Sequence, residues 1–160
     1  MWIKKMAMAV TLIAATQLAS TQILFAMGSD SGSSSLVKAA DPAFELGKQA
    51  IDAKDWNMAI DHMTKVVEKD PKNADAFNYL GYAHRQKGDY ETAFSDYGKA
   101  LAINPDHKGA NEYIGEAYLK TGNLSMAEQH LAKLDEICTF GCAEYTLLKR
   151  KVAEFKAAKN

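Results

Sequence analysis

The chain lacks a basic excess: 19 lysines and arginines stand against 20 acidic residues in 160, a formal charge of −1. Nucleic-acid binders neutralise phosphates with clustered Lys and Arg, so the balance argues against that class. HExxH, a Gly-rich phosphate loop, a nucleophile elbow and any paired-carboxylate motif are also missing, so no catalytic residue, metal or cofactor is read from the sequence. Cysteine is scarce. The two that occur, Cys138 and Cys142, share the stretch "ICTFGCAEY", and none lies near the N-terminus, which argues against a lipobox lipid anchor. What is present, 48% hydrophobic and 24% charged, is ordinary for one globular domain with a core.

The first 28 residues differ from the rest. "MWIKK" is a short basic segment, and Met6 to Ala26 carries no charge. Its most apolar part, Met6 to Ala15, has the length of a signal-peptide core, and Ala26 and Gly28 suit the small positions before a cleavage site. Residues 1–28 therefore read as a signal peptide. A retained membrane anchor is the alternative, weakened by Thr16, Gln17, Ser20, Thr21 and Gln22, which would be costly in lipid. Loss of Lys4 and Lys5 takes the formal charge from −1 to −3. Residues 29–39, rich in Ser and Gly, read as a flexible linker. The expected location is the periplasm, or the inner membrane facing the periplasm if the segment is kept.

The remainder repeats itself at intervals of 34 residues. Leu46-Gly47, Leu80-Gly81 and Ile114-Gly115 recur in register, as do Ala59, Ala93 and Ala127, and Pro71 and Pro105. Each has a physical task. The glycines and alanines allow two helices to approach closely. In "KGDY", Gly88 suits a left-handed helix end and Asp89 an N-cap. Pro71 and Pro105 stop a helix because proline cannot continue its hydrogen-bond ladder. The first copy has Ala53-Lys54 where the middle one has its turn glycine, and the third has Thr139 where the others have proline. Tyr145, Leu148, Val152 and Phe155 then form one apolar stripe of a last helix, with Lys149, Arg150, Lys151, Lys156 and Lys159 on its other side. A membrane or acidic-partner contact is one reading of that basic side; a solvated outer face is the simpler one.

This pattern, clearest in "ADAFNYLGYAHRQKGDYETAFSDYGKALAINPDH", resembles the tetratricopeptide repeat (TPR) over about 100 residues. The resemblance implies an all-α fold, a right-handed superhelical solenoid of three helix–turn–helix units. The units span residues 40–73, 74–107 and 108–141 within a repeat region of 40–142, and residues 143–160 form a capping helix that closes the last apolar face. It also implies a non-enzymatic binding module, whose first helices line a concave groove for a protein or peptide. Phe44, Lys48 and Asp52 would line it from the first unit, Asn78, Tyr79, Tyr82 and Arg85 from the second, and Glu112, Tyr113, Glu116 and Lys120 from the third. Tyr and Arg are enriched where binding energy concentrates. Tyr79 and Tyr113 are equally suited to packing between units. The Lys/Asn/Arg clamp with which some TPR domains hold a chaperone's C-terminal carboxylate is mostly absent, since Tyr79 and Tyr113 stand at its positions.

On this plan Cys138 ends the third unit and Cys142 begins the cap. Export to an oxidising compartment favours a disulfide staple. A zinc site would want four ligands, and His130 lies eight residues before Cys138, about 12 Å along a helix. A redox switch or a Cu(I) site on two thiolates stays open as an alternative. His84 stands at a packing position and reads as a partly buried side chain. The leading expectation is a periplasmic adaptor binding a partner of the cell envelope. The alternatives are a copper or redox protein using Cys138 and Cys142, and a membrane-anchored assembly factor.

Overall fold

In a computed structural model of the chain, the described residues are 41–159, so the signal-peptide and linker segments fall outside them. Among these residues the fold is all-α: α1 Pro42–Asp52, α2 Trp56–Lys69, α3 Ala74–Gln86, α4 Tyr90–Ile103, α5 Lys108–Lys120, α6 Leu124–Ile137 and α7 Ala143–Ala157. Consecutive helices pack as pairs, and the odd-numbered helices also touch one another in order, α1 with α3, α3 with α5 and α5 with α7. That ordering makes one face of the molecule a row of first helices.

Capping residues set the starts. Asp55, Asp89 and Asn123, 34 apart, accept the backbone N–H groups of Met58, Thr92 and Met126, satisfying donors that a helix start leaves open. Just before the last two, Gly88 and Gly122 take φ of 84° and 83°; in the first unit Lys54 takes the same left-handed conformation at 59° without glycine's freedom. Pro71 and Pro105 are exposed and follow the C-cap residues Asp70 and Asn104.

Close packing rests on the small residues. Ala59, Ala93 and Ala127 are completely buried. A Cβ on Gly47 would stand 2.7 Å from Met63, and one on Gly81 would stand 2.7 Å from the ring of Tyr97. In the third unit the corresponding neighbour of Gly115 is Leu148 of α7, not a residue of α6, so the cap helix fills the place that an in-unit side chain fills in the others. Leu80 and Ile114 are buried, but Leu46, read as a third packing residue of that set, is 46% exposed. The reason is positional: α1 packs on α2 and α3, and its other side has no helix stacked on it among the described residues.

On α7, Leu148 and Val152 are buried with Tyr145 and Phe155 beside them. Its basic side is not simply a solvated face. Lys151 reaches Glu116 of α5 at 3.1 Å and Lys156 reaches Glu128 of α6 at 2.6 Å. At the α6–α7 joint, Cys138 and Cys142 are placed as a disulfide pair with Cα atoms 5.6 Å apart. Gly141, at φ 81°, makes the turn, and the Cys142 sulfur accepts the Tyr145 N–H.

Candidate functional site

The row of first helices carries the residues singled out for a groove, and the structure sorts them into three groups. The first is a run of aromatic rings. Phe44 meets Tyr79 edge-on at 5.7 Å, and Tyr82 meets Tyr113 at 4.9 Å. Trp56 of α2 and Tyr97 of α4 support Tyr82 and Tyr113 from behind at 6.0 and 6.5 Å. All four rings of the row are partly exposed, so they pack between units and show an edge to solvent together. Lys48, also partly exposed, lies over the Phe44 ring and bridges to Glu45 at 3.4 Å.

The second group is buried, which differs from the sequence reading. Arg85 and Glu116, expected to face a partner, are 9% and 8% exposed and bond to each other, Arg85 Nη1 donating to Glu116 Oε2 at 2.7 Å. The guanidinium lies over both Tyr82 and Tyr113, 5.2 and 5.5 Å from the ring centres, a cation–π arrangement on two faces. The second oxygen of Glu116 takes Lys151. One carboxylate therefore ties α3, α5 and α7 together. Burial alone would lower the Arg85 pKa, and the Tyr97 hydroxyl and Glu116 more than offset it. Burial also pushes the Tyr97 hydroxyl well up, and it pushes Tyr113 up to about 12, with Glu112 adding to the effect.

The third group is buried and unpaired. Asn78, 5% exposed, keeps its Oδ1 sealed from solvent without a hydrogen bond. Glu112 is as buried as Asn78, and no hydrogen bond or ion pair holds its carboxylate among the described residues. Burial first, then Glu116 and Glu144, raise it to about 7, against the pull of Arg85 and Lys151. An ionised carboxylate shielded from water without a partner is costly, so the group keeps its proton to unusually high pH.

Beyond the rings, Glu116, Leu119, Lys120, Lys151, Glu154 and Phe155 line a cleft of about 210 Å³ between α5 and α7. The histidines serve elsewhere. His84 Nδ1 meets buried Asp96 at 2.9 Å, and His130 meets Asn111 at 3.0 Å. With their sulfurs paired, Cys138 and Cys142 present no thiolate, and a soft metal would have to meet a reduced pair. Sequence reasoning did not place Lys151 at this face. It follows Glu116 by 35 residues, one more than the repeat interval, and that near-register was the available signal.

These features define a helical-repeat protein with a row of first helices carrying rings and polar groups. Comparison with known proteins gives the family. The tetratricopeptide repeat model matches residues 74–107. The TPR repeat-containing protein PA0015 of Pseudomonas aeruginosa is 36% identical over 75 residues, 45% of this chain and 71% of that protein. Cellulose synthase operon protein C of Escherichia coli is 35% identical over 107 residues, 56% of this chain, which thus spans only 9% of that relative's length. Among solved structures, the first TPR of Spaghetti (RPAP3) bound to the HSP90 peptide SRMEEVD superposes with a TM-score of 0.64 at 24% identity, covering 72% of this chain and 90% of that one. The chain belongs to the tetratricopeptide repeat family.

Proposed function

We propose that the chain is a non-enzymatic adaptor that holds a protein or peptide segment along its first-helix face. The observation that carries this is the partly exposed ring row Phe44, Tyr79, Tyr82 and Tyr113, leading to the cleft between α5 and α7. Rigid aromatic edges beside a cleft supply contact area at low entropic cost, which suits an extended or helical peptide. The bound peptide in the Spaghetti TPR structure supports the same use of the fold. The apolar, uncharged run Met6 to Ala26 supports export to the periplasm and a partner in the cell envelope. In that compartment the Cys138–Cys142 pair serves as a staple between the last unit and its cap.

The test is crosslinking in the producing cell followed by capture and mass spectrometry, comparing wild type with the Lys120→Glu, Glu154→Lys double variant. Lys120 and Glu154 line the cleft from exposed positions, so the fold tolerates their reversal. A partner held by wild type and lost by the variant supports the reading. A partner held equally by both would move the working surface away from this face. Intact mass of the captured protein checks export, through loss of about the first 28 residues.

A further inference from the structure

We propose that Asn78, Glu112 and Glu144 form a subsite for a cationic side chain, a lysine ammonium or an arginine guanidinium, of the segment lying in the groove. This rests on the groove reading above and names the chemistry of its occupant. Three observations converge. Glu112 is buried with no ion-pair partner, and its neighbouring cations are committed, since Arg85 and Lys151 both bond Glu116. Its oxygens are not among the sealed polar atoms, Asn78 Oδ1, Arg85 Nε and the Tyr97 hydroxyl, so the carboxylate still opens to the groove. Asn78 supplies an orphaned acceptor next to it. Its side-chain nitrogen lies 3.3 Å from where a Cβ of Gly109 would be, and Gly109 is one turn before Glu112 on the same face of α5.

The repeat geometry places the third acceptor. Glu144 stands in the first turn of α7 as Gly109 stands in the first turn of α5, so it faces Glu112 as Gly109 faces Asn78. Glu144 makes no ion pair among the described residues, and it raises the Glu112 carboxyl, as expected of a near neighbour. Gly109, lacking a side chain, leaves room between the acceptors. A site with three acceptors and no uncommitted donor fits a cation and repels an acidic peptide.

The charged groups around Glu112 are Arg85 from α3, Glu116 from α5, and Glu144 and Lys151 from α7, while α4 and α6 present Tyr97 and His130 to α5. A bound cation favours ionised Glu112 and so draws off its proton. Affinity for a basic peptide therefore rises with pH from about 6 to 8.

Phage-displayed random dodecapeptides selected on the full chain at pH 7.5, with winners measured by fluorescence anisotropy, test this. The expected winners share a lysine or arginine, and its replacement by norleucine weakens binding about tenfold. Glu112→Gln, whose fold is checked by circular dichroism, weakens the basic peptide about tenfold and leaves the norleucine peptide within about twofold. Winners that lose binding to the Lys120→Glu, Glu154→Lys variant but carry no required basic residue, or ignore Glu112→Gln, would overturn the cation subsite and leave the groove standing. No winner on wild type would overturn both.

Discussion

Arg85 of α3 and Glu116 of α5 bond across 2.7 Å between successive repeats, with both side chains almost wholly withdrawn from water. Burying either charge alone would be unfavourable, and the pair is tolerable because each has further partners: two rings for Arg85 and Lys151 for Glu116. Polar residues that meet a partner in an ordinary groove here bind the solenoid to its own cap.

Removing one member leaves the other stranded. Glu116→Ala is expected to cost about 3–5 kcal/mol, because Arg85 remains buried without its counter-ion. The double replacement Arg85→Met, Glu116→Leu should cost far less, since apolar side chains of similar size need no pairing. Urea denaturation of the two variants distinguishes them. Equal losses would mean that the pair contributes through shape and not charge.

The three conserved-looking glycines of the repeat are not equivalent. A methyl on Gly81 would press on the Tyr97 ring, which is fully buried and can turn about only two bonds. A methyl on Gly47 meets Met63, an unbranched side chain that can rearrange. Gly81→Ala should destabilise by about 1–3 kcal/mol, whereas Gly47→Ala stays within about 1 kcal/mol because alanine also favours the helix. Thermal melts of both give the ranking; a reversed order would rule out ring crowding as the cause.

The helix order and the pairing of units were legible because they follow from small residues, caps and turns that recur every 34 positions. Burial at the site was not. Whether Arg85 faces solvent depends on Glu116, and whether Glu116 does depends on Lys151, in a helix that falls outside the repeat pattern. The same helix supplies Leu148 to Gly115, a substitution of partner that no in-register comparison of units shows. Leu46 misled in the opposite direction, since its position repeats in register although no helix covers it among the described residues.

Lys54 offers a stabilising change. At φ 59° it occupies a conformation in which a Cβ costs about 1–2 kcal/mol, at the place where Gly88 and Gly122 stand in the later units. Lys54→Gly should gain about 0.5–1 kcal/mol, the remainder being offset by the greater freedom of glycine in the unfolded chain. A shift of the denaturation midpoint to lower urea would show that the Lys54 side chain contributes more than its backbone costs.

Glu112 connects stability to the proposed use of the groove. Its folded pKa, about 7, lies above its unfolded value, so the folded chain holds a proton that the unfolded chain releases. Its contribution is fully present below the unfolded pKa and is lost as pH rises through about 7. A fully shielded group would give about 3 kcal/mol for such a shift, and one open to the groove should give about 1–2 kcal/mol. Wild type should therefore lose that much more stability than Glu112→Gln between pH 5 and pH 8, measured by urea denaturation at each pH. Identical profiles would mean that Glu112 already has a partner, and the acceptor site proposed for a basic side chain would then be occupied by the protein itself. A profile that flattens when a lysine peptide is present would show the opposite, a carboxylate kept unpaired until a cation arrives.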